Sequence, residues 1–253
     1  MPDLIIIAGP NGAGKSTIFP AIQNVGRIEG AFQPNVIPDE NYVNPDNIAK
    51  DNNLEKISAG RIAIEEIDRH IENRNNFAIE TTLSGKYLLS KVNLAKSKGY
   101  RIFLVYISLD SYELSVARVI QRALLGKHYI PVDTIIQRYK KSLNNMFNHF
   151  VRLADFWLVV DNSDLIPNPL CWGGNIYADE KIYTTDKEFV EKLNAIALKN
   201  EIQFNNNDIC FYDVFSPFVF SKIKELVIAE TKKRPKGNYV VVQRQGKIEF
   251  QIA

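Results

Sequence analysis

Residues Gly9-Pro10-Asn11-Gly12-Ala13-Gly14-Lys15-Ser16 restrict the fold of this chain more than any other stretch. They spell G-x-x-x-x-G-K-[ST], the phosphate-binding P-loop. Leu4-Ile5-Ile6-Ile7-Ala8 precedes them, a short apolar, β-branched run that reads as a buried parallel strand. A helix opens after the loop, around Thr17. The glycines let the backbone wrap an anion without Cβ clashes. The loop N–H groups and the helix N-terminus then face the phosphates. Lys15, expected to stand free for ligand, reaches the β- and γ-phosphates, and the Ser16 hydroxyl ligates Mg²⁺.

The loop needs a domain large enough to carry it. A chain of 253 residues makes one large α/β domain, or one domain with an appendage. A net charge of +2 gives no strong pull toward nucleic acid. Cys171 and Cys210 form neither a C-x-x-C pair nor a disulfide framework, and packing is their expected role. The first apolar run is too short for a signal peptide, and no stretch approaches a membrane span. A cytoplasmic protein is the expectation.

Strands and helices then alternate, which implies a parallel sheet. Beyond the first strand, strands are predicted at 41–46, 77–82, 101–109 and 156–160. Helices are predicted at 58–73, 87–98, 113–125 and from Asp133, the expected N-cap of a long helix. Ile62, Ile64, Ile67 and Ile71 give the first of these an apolar face. The predicted core is a five-stranded parallel sheet flanked by helices over residues 1–165. Residues 166–253 form an α+β extension. Pro167, Pro169, Gly173 and Gly174 mark a loop. Thr185 to Glu188 is a capping box. Ser216-Pro217 opens a second helix, and 239–244 with 247–252 reads as a hairpin around Gln245-Gly246.

Ligands of such sheets bind outside the carboxyl ends of the strands. That rule gathers the P-loop, Asp46, Glu80 and Asp161-Asn162 on one rim. Phosphoryl transfer needs a P-loop, Mg²⁺, a group that orients and deprotonates the acceptor, and cations over the moving phosphoryl. Asp46 can serve as general base; its other role is N-cap of a helix starting at Asn47. Glu80 can hold the Mg²⁺ water shell or bind acceptor, with Thr82 beside it. Arg118 and Arg122, four residues apart on one helix face, are candidate lid cations over ATP. His128, next to Lys127 in a Gly-led loop, is a third. Leu83-Ser84-Gly85 superficially matches the signature of transport ATPase cassettes, but it stands far too early in the chain and reads as a turn.

Taken together, GPNGAGKST, Asn44-Pro45-Asp46, Phe77-Ala78-Ile79-Glu80-Thr81-Thr82-Leu83-Ser84-Gly85, Ser97-Lys98-Gly99-Tyr100, the run from Glu113 to Arg122, Gly126 to Pro131 and Arg138-Tyr139 resemble the zeta toxin family of P-loop kinases over roughly residues 3–163. The resemblance implies an ATP- and Mg²⁺-dependent kinase acting on a small molecule, with UDP-N-acetylglucosamine as the family's characterised acceptor class. It also implies an antitoxin partner that blocks the ATP site. By position, Lys15 and Ser16 become the phosphate and Mg²⁺ residues and Asp46 the base. Glu80 shapes the substrate site, and Arg122 is the lid arginine, with His128 or Lys127 as a second lid cation. Some family toxins carry arginine where this chain has Ser84, and related short members have Gly-Gly-His where it has Gly126-Lys127-His128. A 5′-hydroxyl nucleic-acid or nucleoside kinase and a non-catalytic NTP-binding module are the alternative readings.

Overall fold

The structure, a computed structural model, describes residues 1–25, 34–52, 56–126, 129–165, 167–174, 182–184, 191, 209–211 and 239–252. Lys127, His128 and the two helices expected after Thr185 and Ser216 lie outside these residues.

Strand β1 (Asp3–Ala8) is buried along its whole length. That follows from its uninterrupted apolar run and its place in the sheet. It pairs in parallel with β3 (Phe77–Thr81) on one side and β4 (Arg101–Ser108) on the other. Strand β2 (Tyr42–Val43) extends the sheet beyond β3, and β5 (Phe156–Asp161) extends it beyond β4. These five strands are the expected parallel core, in the order β2-β3-β1-β4-β5.

The sheet does not stop there. Strand β6 (Asn168–Gly173) pairs antiparallel with β5, β7 (Ile182–Thr184) with β6, and β8 (Ile209–Phe211) in parallel with β7. The loop expected from Pro167, Pro169, Gly173 and Gly174 is therefore a strand. Pro169 is tolerated because the β5–β6 register shifts between Val159 and Val160, beside the proline's partner. Leu170, Cys171 and Trp172 between the turn-forming residues are buried, so an apolar trio outweighs its flanks.

Helices cover both faces. Leu4, Ile6 and Ala8 point into a core shared with α3 (Lys56–Glu72), α4 (Tyr87–Ser97) and the π-helical turn Met146–Phe150 that follows α6 (Val132–Asn145). Ile67 and Ile71 of α3 are buried there, while Ile62 and Ile64 are only half-buried. Ile5 and Ile7 point into the opposite core, built with α1 (Lys15–Val25), α5 (Tyr112–Leu124) and the hairpin of β9 (Tyr239–Arg244) and β10 (Lys247–Ile252). The hairpin turns at Gln245-Gly246, both at positive φ, as its sequence predicts. Among the described residues no helix is long and apolar enough to cross a membrane.

Two predicted caps are corrected. Pro131 occupies the N-cap of α6, and Asp133 lies inside its first turn, where its charge meets the positive end of the helix dipole. Helix α2 (Pro45–Asp51) is capped by Asn44, whose side chain accepts hydrogen bonds from the backbone N–H of Asp46 at 2.9 Å and of Asn47 at 3.4 Å. Asp46 is thereby released from capping.

Candidate active site

The turn from β1 into α1 depends on closeness that only glycine permits. A Cβ on Gly9, at φ 142°, would lie 2.2 Å from the Ile107 carbonyl oxygen on β4. Gly12 and Gly14 also take positive φ, and a Cβ on Gly12 would meet Ser115 and Arg118 of α5 at 3.0 and 3.1 Å. The loop closes on itself through Ala13 N–H to the Pro10 carbonyl at 3.3 Å, and Thr17 and Ile18 donate back to Gly14 at 3.0 and 3.1 Å. Two side chains pin it from outside. Ser115 Oγ donates to the Asn11 carbonyl at 2.5 Å, and Asn162 Nδ2 to that of Ala13 at 2.7 Å.

Lys15 is not free, contrary to expectation. It is buried, and its ammonium folds back onto the carbonyls of Gly9 and Pro10, 3.0 Å from each. Burial holds its pKa below the ordinary lysine value. Glu80 and then Asp46 pull it up, and Arg122 and Arg138 push it down. Four charged side chains are therefore felt at one ammonium. Ser16 is exposed at the start of α1 and Thr17 half-buried behind it.

A cleft of about 470 Å³ opens beside the loop. Asn11 and Lys15 line it, with Asp46 from α2, Glu80 near the end of β3, Thr82 just after it, and Arg138 from α6. Asp46 is exposed. The Glu80 carboxylate accepts a 2.5 Å hydrogen bond from Tyr42 Oη, and the Tyr42 ring stacks on Phe19 of α1 with centroids 4.2 Å apart. Burial, then the Glu80 charge and that hydrogen bond, raise the Tyr42 pKa, so the phenol stays a donor and orients the carboxylate.

The turn after β3 is tied to α6. Ser142 Oγ donates to the Thr82 carbonyl at 2.5 Å, Asn145 Nδ2 to that of Leu83 at 2.8 Å. Leu83 itself takes φ 55°, a conformation a leucine adopts only where its surroundings impose it. The same helix carries Arg138, whose Nη1 lies 3.4 Å from Asn11 Oδ1. Helix α6 thus both ties down the turn after β3 and brings a cation to the phosphate loop. The sequence placed no role on Arg138, because only the folding of α6 across the loop brings it there.

The two candidate arginines of α5 part company. Arg122 is exposed, and among the described residues it makes no hydrogen bond or ion pair. Arg118 is buried beneath the loop. Its Nε donates to the Val241 carbonyl of β9 at 2.6 Å, Nη1 to Asn162 at 2.8 Å and Nη2 to Ser163 at 3.2 Å. Expected among the ATP contacts, Arg118 instead clamps the hairpin and the end of β5 against α5. Asp161-Asn162 stands on the rim as expected.

A P-loop closed on its glycines, a buried lysine within it, Asp46 and Glu80 in the cleft beside it and Arg138 against it define a P-loop kinase-type phosphotransferase. A family model described as Zeta toxin matches residues 1–165, and the chain belongs to that family. An uncharacterized protein of Haemophilus influenzae is 33% identical over 138 residues, 53% of this chain and 91% of that protein. Among solved structures, AvrRxo1-ORF1 with AvrRxo1-ORF2 and ATP matches with a TM-score of 0.56 at 14% identity, over 91% of this chain and 76% of that one. A structure of the PezAT chromosomal toxin–antitoxin system of Streptococcus pneumoniae matches at 0.48 and 14%, over 92% and 88%. The AvrRxo1 likeness is one of fold.

Proposed function

We propose that this chain transfers the γ-phosphoryl group of ATP to a hydroxyl of a small molecule held in the cleft, with UDP-N-acetylglucosamine as the acceptor. The observation that carries the reading is that the P-loop lysine, Asp46, Glu80 and Arg138 line one cleft. ATP lies along residues 9–17. On its arrival Lys15 exchanges two backbone carbonyls for phosphate oxygens. That exchange keeps the buried ammonium paired throughout, so the unliganded site does not strand a charge. Asp46, exposed and free of capping, takes the proton of the attacking hydroxyl. Tyr42 fixes Glu80, and Thr82 adds a polar contact for the acceptor. Arg122 and Arg138 face the charge that spreads over the transferring phosphoryl; His128 is proposed beside them from the family pattern.

Mg²⁺ fits the donors present, a hydroxyl at Ser16 and a carboxylate at Glu80, because hard cations take oxygen ligands and Mg²⁺ keeps several waters. When bound, it would neutralise phosphate charge. A small antitoxin covering the ATP site is the proposed partner.

The test is transfer of labelled γ-phosphate to UDP-N-acetylglucosamine, nucleosides and 5′-hydroxyl oligonucleotides. Transfer to the nucleotide sugar is expected, lost in Lys15→Ala that remains folded by circular dichroism. Transfer that survives Lys15→Ala, or that goes only to oligonucleotides, overturns the reading.

A further inference from the structure

Beyond residues 1–165, which match the Zeta toxin model, the chain returns to the phosphate loop through the β9–β10 hairpin. With two residues at the turn, Arg244 and Lys247 form the hydrogen-bonded pair of the hairpin, so the backbone groups of Val241 and Gln243 face away from β10. Both find partners in the core. The Val241 carbonyl accepts from Arg118 Nε at 2.6 Å, and the Gln243 N–H donates to the Ser163 carbonyl at 3.0 Å. The Gln243 side chain adds a third bond: its Oε1 accepts from the Oγ of Ser111, the N-cap of α5, at 2.5 Å. Arg244 pairs with Asp164 at 2.9 Å. Val241 is buried in the same apolar core as Ala13 of the phosphate loop.

These contacts converge on residues 162–164. Arg118 also donates to the carbonyls of Asn162 at 2.8 Å and of Ser163 at 3.2 Å. Asn162 in turn donates from Nδ2 to the Ala13 carbonyl at 2.7 Å. Ala13 lies within the loop whose N–H groups must keep one arrangement to receive an anion. Asn162 thus touches the loop on one side and belongs, on the other, to the segment that β9 braces. A two-stranded hairpin alone is marginally stable in water, so β9 and β10 depend on this docking for their own order. Docked and undocked hairpin are two discrete arrangements of one element, and such an element can couple one site to another.

We propose that the β9–β10 hairpin is a positioning element of the nucleotide site, and that this is one task of the extension at 166–253. Docked, the hairpin fixes residues 162–164, and Asn162 holds Ala13 in the arrangement that binds ATP tightly. Undocked, the strand end loosens and ATP binds more weakly. The coupling is reciprocal, so bound nucleotide holds the hairpin down by the same factor. Gln243 is the positioning residue that tests this by itself: its bonds run to Ser111 and Ser163, and it lines no part of the cleft. The proposal rests on the phosphotransferase reading for ATP at the phosphate loop and needs no particular acceptor.

The test is a double-mutant cycle on the full chain, with a non-hydrolysable ATP analogue titrated by calorimetry. Gln243→Pro removes the outward N–H and no bond of the hairpin ladder. Its affinity for the analogue is expected to fall about tenfold, the worth of one hydrogen bond. In the Asn162→Ala background the same substitution should cost almost nothing further, because the connection it breaks is already gone. With ATP as substrate, Gln243→Pro should raise KM for ATP and leave kcat at saturation as in wild type. Gln243→Ala keeps the N–H and loses only the Ser111 bond. It should cost about threefold in wild type and nothing in Asn162→Ala, and it carries the test if the proline variant does not fold. A folded variant that binds the analogue as wild type does, or that loses the same factor in both backgrounds, overturns the proposal. A wild type that binds no nucleotide overturns it together with the phosphotransferase reading. Coupled binding without phosphate transfer to any acceptor supports the hairpin's role and removes the kinase reading alone.

Discussion

Asn162 holds the phosphate loop from behind. Its Nδ2 donates to the Ala13 carbonyl at 2.7 Å and stands 2.5 Å from where a Cβ on Gly14 would be. One amide therefore supports the loop and occupies the space a side chain at Gly14 would need. Asn162→Ala removes the support and leaves the glycine tolerated. ATP affinity is expected to fall by about tenfold, the worth of one hydrogen bond, with little change in melting temperature. Gly14→Ala, clashing and at φ 86°, should bind no measurable ATP. Calorimetric titration of both variants checks this pair.

Arg118 and Arg122 differ in what they hold. Arg118→Ala leaves three carbonyls short of a donor and undocks β9, so its loss should appear chiefly in stability, by about 3 kcal/mol. Arg122→Ala should melt as wild type and lose at least about 10³-fold in kcat, the usual worth of an arginine over a transferring phosphoryl. Urea unfolding beside steady-state kinetics separates the two. A stable Arg118→Ala with a kinetic defect of the same size would reverse the assignment.

For Asp46, the cap at Asn44 removes the structural explanation of any defect. Asp46→Asn should lower kcat by about 10²-fold or more while ATP affinity holds. Stability should drop only by the loss of one helix-dipole contact, about 0.5 kcal/mol. Loss of ATP binding in this variant would make Asp46 a nucleotide or metal residue instead.

His70 should make the fold sensitive to acid. It is buried at the end of α3, stacked on Phe77 with centroids 5.2 Å apart, and its Nε2 has no partner among the described residues. Burial, and then the charge of Arg69, hold its pKa below the ordinary value. The unfolded chain binds the proton more tightly, so this contribution is complete above about pH 6.5 and is lost as pH falls toward the folded value. Asn75, Phe77 and Tyr100 face or adjoin the ring and add no carboxylate to rescue the imidazolium. Melting temperature should fall from about pH 7.5 to about pH 5.5, and less steeply in His70→Gln. Equal slopes would show that His70 is not the group.

The parallel core was legible because each strand is a short apolar run closed by a recognisable turn, and the rim followed from the direction of those strands. Strand β6 was hidden by two prolines and two glycines, whose local preference was outweighed by burial of Leu170, Cys171 and Trp172. In the site, Lys15, Asp46 and Glu80 could be found because each ends a strand or sits in a motif. Arg138 could not: its place depends on how α6 crosses the loop. Arg118 and Arg122 look alike in spacing, one turn apart on a helix; the family resemblance singled out Arg122, and the docking of β9 shows what Arg118 holds instead.

The hairpin also sets an order of events during synthesis. The carbonyl that receives Arg118 Nε belongs to Val241, 123 residues further along the chain. Gln243 N–H, which donates to Ser163 at 3.0 Å, and the Arg244–Asp164 ion pair at 2.9 Å each reach back 80 residues to the strand end they brace. As the chain leaves the ribosome, every charged side chain of the cleft emerges before β9 does. During that interval Arg118 lacks the Val241 carbonyl, and the strand end that carries Asn162, the residue behind the phosphate loop, lacks its contacts with Gln243 and Arg244. The nascent chain therefore carries the charged side chains of the cleft before the strand end behind the phosphate loop has its contacts with β9, and translation through the hairpin completes that support.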